Sequence, residues 1–160
     1  MWYVILLAVC IGGDQLLKWW VTSHLDVGQS APLLPGIVRL TRLHNTGAAW
    51  SSFSGKTGLL AAVTIVLMAA VVYLVVKKIV RHPLGLTSAM LVLGGGAGNM
   101  IDRLTTGSVT DMICFDFVSF PVFNVADMFI TVGCAALILF VLVADGKKKP
   151  KKGESNDAAS

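Results

Sequence analysis

The sequence predicts an all-α integral membrane domain with four transmembrane helices, and three observations predict it. Of 160 residues, 55% are hydrophobic and only 14% are charged, whereas a soluble domain carries roughly a quarter charged residues. The mean hydropathy is +0.76. The apolar residues fall into four blocks, and a hydrocarbon core of about 30 Å requires about 20 mostly apolar helical residues to cross it. One compact domain, residues 1–146, uses this length, and the lysine-rich tail 147–160 is expected to be disordered.

The first block gives a helix over 2–23. It lacks a positive leading segment and a small-residue cleavage site, so it reads as a retained span, with Trp19 and Trp20 in the interfacial aromatic belt. The connection 26–56 holds Pro32, Pro35 and Gly36 before the imperfectly alternating run Ile37-Val38-Arg39-Leu40-Thr41-Arg42-Leu43, where a small strand pair is expected. Residues 59–76 are uninterrupted apolar and end on Lys77-Lys78. Pro83 opens the third span, 83–104, at a favoured first-turn position. Its Gly94-Gly95-Gly96-Ala97-Gly98 segment lacks the strand and the Lys-Ser/Thr of a phosphate loop, so close helix packing explains it. In the connection 106–121, Val109, Asp111, Ile113, Phe115 and Phe117 recur at period two, the mark of an extended segment. The fourth span covers 122–144.

Charge sets the expected orientation. The formal net charge is +4, but Lys77, Lys78 and Arg81, and then Lys147, Lys148, Lys149, Lys151 and Lys152, directly abut apolar blocks. That is the signature of cytoplasmic segments rather than of nucleic-acid binding. Both termini are therefore expected inside, and the connections 26–56 and 106–121 outside. Arg39, Arg42, Lys56 and Arg103 oppose this but are fewer. Cys10, Cys114 and Cys134 show no paired spacing for a disulfide framework or a zinc site.

Polar residues gather at one depth. Asp14 and Lys18 fall in the outer half of the first span, Asn99, Asp102 and Arg103 at the outer end of the third, and Asn124 and Asp127 at the outer start of the fourth. An ionisable residue in a span costs roughly 3 kcal/mol and marks function by default. Asp14 and Lys18 share a helix face, as do Asn99 with Asp102 and Arg103, and Asn124 with Asp127. For Asp14–Lys18 and Asp102–Arg103, interhelical pairing and a functional role both stay open. Asp111 and Asp127 have no basic neighbour in sequence and read as chemical.

His24, His44 and His82 form no ligand-spaced set, so neither metal nor cofactor is expected. Ser108 and Ser119 lack an evident histidine partner for nucleophilic catalysis. Two aspartates about 3 Å apart share one proton. The ionised member takes a proton from water, the protonated member donates one to the attacked carbonyl, and the pair then protonates the leaving amine.

Five segments carry a family likeness: Asp14-Gln15-Leu16-Leu17-Lys18, Asn45-Thr46-Gly47-Ala48-Ala49, Gly98-Asn99-Met100-Ile101-Asp102-Arg103, Val109-Thr110-Asp111-Met112-Ile113 and Phe123-Asn124-Val125-Ala126-Asp127. In this order, across about residues 2–145, they resemble the conserved blocks of lipoprotein signal peptidase, the bacterial signal peptidase II. The resemblance implies an aspartic endopeptidase of the bacterial inner membrane, acting on lipidated prolipoproteins just before the diacylglyceryl-modified cysteine. It maps catalysis onto Asp111 and Asp127. Asp14, Lys18, Asn45, Gly47, Asn99, Asp102, Arg103, Asn124 and Ala126 map onto site-shaping or substrate-binding positions. It also implies a small extracytoplasmic β-cradle and a short amphipathic helix within 30–58, with a monomer in contact with membrane lipid. Thr110, Met112 and Trp50 depart from the residues common in those blocks and bear on substrate fit. Phe115, Phe117, Phe120 and Phe123 suit an interfacial anchor.

Two other readings compete with it. A small transporter would line an ion path with Asp14, Asp102 and Asp127, but would need acidic residues through the full depth. An assembly subunit would use the polar pairs only to lock helices.

Overall fold

The computed structural model describes residues 1–47 and 55–145. In chain order it has helix α1 (Trp2–His24), strands β1 (Ser30–Leu34) and β2 (Val38–Asn45), helices α2 (Thr57–Val76) and α3 (Pro83–Thr106), strand β3 (Val109–Phe115) and helix α4 (Val125–Asp145). Among the described residues α1, α2 and α3 are long and apolar enough to cross a membrane, and α4 is apolar over Val125–Phe140. The expected short amphipathic helix, Trp50 and the basic tail 147–160 lie outside the described residues.

The helix ends follow from local chemistry. His82 caps α3 by accepting the Leu84 N–H at Nδ1, with Pro83 in the first turn, and Gly107 closes the helix in the left-handed region at φ 75°. The fourth helix starts at Val125, three residues later than its apolar run, because Phe123 is held extended in a bridge to Ile113. Asn124 then caps α4: its Oδ1 accepts the Asp127 N–H at 2.9 Å while Asp127 Oδ2 accepts the Asn124 N–H at 3.2 Å. This is a reciprocal capping box, with the aspartate at the positive end of the helix.

The strands form one antiparallel sheet in the order β1-β2-β3. It is larger than the strand pair expected from the sequence. A register irregularity between Leu40 and Leu43 explains the imperfect alternation in β2. Val21, Leu25, Leu40 and Met112 form the core between the end of α1 and the sheet; full burial of Met112 contributes about 1.5–3 kcal/mol. Arg42 Nη1 donates to the carbonyls of Thr22 and Leu25, both at 3.0 Å, and so ties β2 to the C-terminus of α1.

Helix α3 is the centre of the bundle, touching α1, α2 and α4. Its glycines make the close approach possible. A Cβ at Gly95 would lie 2.3 Å from the Ala126 carbonyl oxygen, and one at Gly98 would lie 2.5 Å from Asp14 Oδ2. The small-residue run is therefore a packing surface, as the sequence predicts.

Candidate active site

The polar side chains expected at one depth do converge, in two connected layers. The inner layer is a buried network between α1 and α3. Lys18 Nζ lies 2.8 Å from Asp14 Oδ2 and 3.0 Å from Asp102 Oδ2. It also donates to Asn99 Oδ1 at 3.0 Å. Gln15 Nε2 donates to Asp102 Oδ1 at 3.0 Å and to the Gly98 carbonyl at 3.1 Å. Asp14 Oδ1 accepts the Ala126 N–H and Asp102 Oδ2 accepts the Thr110 N–H, each at 2.9 Å. A buried charge persists only when paired and hydrogen-bonded, and every member here is.

The outer layer is the pair Asp111 and Asp127. Strand β3 presents Asp111, 2% exposed, and the first turn of α4 presents Asp127. Asp111 Oδ2 accepts Asn45 Nδ2 at 2.8 Å and Oδ1 accepts Asn124 Nδ2 at 2.7 Å. Asp127 Oδ1 accepts Asn99 Nδ2 at 2.8 Å. Asn124 thus touches both acids, one through its side-chain amide and one through its backbone. Among the described residues neither acid forms a salt bridge. Burial pushes Asp111 up to about 6; the amide donor of Asn45 opposes this, the charge of Asp127 adds to it, and Asn124 and Lys18 oppose it.

Both acids open onto a cavity of about 510 Å³, whose wall also includes Asn45, Gly47, Asn99 and Arg103. Apart from Thr131 the rest of the wall is apolar, from Phe115, Phe120 and Phe123 to Met128, Ile130 and Val132 on α4. Phe115 packs against Phe117, Phe120 and Phe123 with ring centroids 5.4–5.8 Å apart. Amide donors, a guanidinium and two acids at the head of an apolar slot suit a peptide carrying a greasy segment. Among the described residues no cluster could hold a metal ion.

The residues match the description Signal peptidase (SPase) II over residues 6–143. The chain belongs to the signal peptidase II family. It is accordingly a membrane aspartic endopeptidase. The lipoprotein signal peptidase of Enterococcus faecalis is 34% identical over 157 residues, 96% of each chain. That of Brevibacillus brevis is 37% identical over 148 residues, covering 92% of this chain and 99% of its own. A bacterial membrane enzyme solved by the in meso method at 2.3 Å resolution superposes with a TM-score of 0.86 at 30% identity, over 96% of this chain and 94% of that one.

Within this signal peptidase II fold, several expectations need correcting. The cation beside Asp102 is Lys18 from α1, not the adjacent Arg103, whose Nη2 reaches the Gly47 carbonyl at 3.5 Å. Ser108 does have a histidine at hand: His44 Nδ1 is 3.1 Å from its Oγ, brought there by the β2–β3 pairing. Met112 packs into the core under the sheet, away from the cavity, so its departure from the family pattern bears on packing rather than substrate fit. Gln15 was missed as a site residue although it shares the Asp14-to-Lys18 turn. Thr110 contributes through its backbone amide, which no residue type signals.

Proposed function

We propose that the chain removes signal peptides from prolipoproteins by cutting just before the diacylglyceryl-modified lipobox cysteine, with Asp111 and Asp127 activating water between them. The observation that carries this reading is the shared Asn124: it binds both acids where they face one cavity. The pair holds one proton and titrates as a unit. The ionised acid accepts a proton from water, whose oxygen attacks the scissile carbonyl. The protonated acid donates to the carbonyl oxygen; the acid that took water's proton then passes it to the leaving amine as the C–N bond breaks, and the diol hydroxyl returns a proton to its partner, which restores the pair. Asn45, Asn99 and Asn124 hold the carboxylates. Arg103 and Gly47, on the cavity wall, are placed to meet the substrate backbone, while Asp14, Lys18, Asp102 and Ala126 shape the site from behind.

The apolar slot along α4 suits the lipid-bearing end of such a substrate, which stays in the bilayer. In this reading α4 is the fourth span of one domain, residues 1–146, and the sheet is the extracytoplasmic cradle. The termini are cytoplasmic, the site lies near the outer face of the inner membrane, and the monomer in lipid is the working unit. The basic tail 147–160 contacts anionic lipid and is dispensable. An ion path is disfavoured because Asp14, Asp102 and Asp127 are joined in one network through Lys18 and Asn99.

The test is cleavage of a diacylglyceryl prolipoprotein peptide by the purified, bilayer-reconstituted protein. We expect a cut before the modified cysteine, and none in the unlipidated peptide. Asp111→Asn and Asp127→Asn should each lose at least about 10³-fold in kcat with the melting temperature retained. Full activity in either variant, or ion transport without cleavage, overturns the reading.

A further inference from the structure

We propose that Lys18 is a positioning residue that places the Asp111–Asp127 pair through the backbone amides preceding each acid and sets the pair's working pH through its charge. The inference rests on the cleavage reading above. Lys18 is 4% exposed and lies outside the cavity wall, so it does not meet a substrate there. Three routes leave its ammonium, and all three end at the pair. Through Asp14 it reaches the Ala126 N–H, one residue before Asp127. Through Asp102 it reaches the Thr110 N–H, one residue before Asp111. Through Asn99 it fixes the amide: with Oδ1 on Lys18, Nδ2 must face Asp127 Oδ1.

These routes join α1, α3, β3 and the first turn of α4. The two acids come from separate elements, and no covalent link shorter than the segment between 111 and 127 ties them. The common ammonium holds both carboxylates, and each carboxylate holds one acid's backbone. Removing it leaves two buried carboxylates facing one another, which pushes them apart.

The same group sets the local charge. The charged side chains facing the pair are Asp14 and Lys18 from α1 and Asp102 and Arg103 from α3. On β2, Arg39 is engaged with Asp116 and Arg42 with the α1 carbonyls, while His44 meets Ser108. Asp14, Lys18 and Asp102 together carry one net negative charge. A cation nearby favours an ionised carboxylate, so its loss moves titration to higher pH.

The experiment is the pH–rate profile of the full-length, bilayer-reconstituted enzyme on the lipidated peptide, with kcat and KM separated. Lys18→Gln keeps a donor and removes the charge. Its kcat should fall at least about 10-fold with KM unchanged, and its profile should shift up by about one pH unit. Lys18→Gln with Asp14→Asn restores the net charge, and its profile should return to the wild-type position while kcat stays low. Asp14→Asn alone should shift the profile down. If Lys18→Gln does not fold, Asp14→Asn against the double variant reads the same shift. A purely structural lysine predicts equal loss without the reversal, and profiles that do not follow net charge overturn the inference. A double variant that cannot fold also overturns it, because Lys18 is then a requirement of the fold. Wild-type enzyme that leaves the peptide intact would instead refute the cleavage reading itself.

Discussion

Helices α2 and α3 are consecutive, of similar length, and both apolar enough to span a bilayer, yet they do opposite jobs. Helix α2 buries none of its residues and meets the bundle through Met68, Val71 and Val75, which pack against Ala89, Met90 and Leu93. Helix α3 buries Ser88, Asn99, Asp102 and a run of glycines, and contacts every other helix. Apolar character decides only that a helix enters the membrane. Small and polar residues decide which helix the others gather around, because lipid tails are as apolar as leucine and offer no drive for apolar faces to pair.

The contrast is broken most severely at Gly95. Gly95→Ala drives a Cβ into the Ala126 carbonyl, a backbone atom that cannot swing away, so the start of α4 must lift from α3. Overpacking of this kind costs about 1–3 kcal/mol. We expect a lower melting temperature and a loss of cleavage of at least about 100-fold, because Asp127 moves with that turn. Retained activity would show that α3 does not set the position of α4.

Asn99→Ala comes next. It deletes the donor to Asp127 and an acceptor of Lys18 in one step. A drop in kcat of about 10²-fold is expected, with substrate affinity little changed. An equal rise in KM would mean instead that Asn99 binds substrate.

Asn45→Ala sharpens the electrostatic side of the comparison. Burial already raises Asp111 to about 6, and Asn45 is the largest opposing influence. Its removal should move the pH–rate profile upward by a fraction of a unit, read by titrating turnover. Because the folded value exceeds that of a free carboxyl, Asp111 favours the folded state on the acid side of this window. That contribution fades as pH rises from about 4 through about 6.

The smallest effect belongs to α2. Leu67 is 60% exposed, and Leu67→Ala should leave both activity and melting temperature unchanged within error. A measurable loss would reveal that α2 has a partner.

The sequence made the spans and the acids legible because both leave one-dimensional traces: long apolar runs, and charges where charges are costly. Asp111 and Asp127 stood out for lacking a nearby cation. The cation of Asp102 did not, since Lys18 is 84 residues away in the chain and meets it only after α1 packs on α3. The strand pair was legible only as an imperfect alternation, because β1 contains Pro32 and β2 has an irregular register. The His44–Ser108 contact depends on strand pairing, which no local pattern encodes. Gln15 was readable in principle, three residues from Lys18 on the same turn.

The capping box at the start of α4 makes one amide proton informative. The Asp127 N–H is locked on Asn124, whose other end grips Asp111. Its exchange with deuterated solvent therefore requires the same small opening that would release both acids. Slow exchange at that single position reports an assembled catalytic centre in the resting enzyme, and its acceleration by an inhibitor would identify a compound that works by prying the helix end apart rather than by filling the slot.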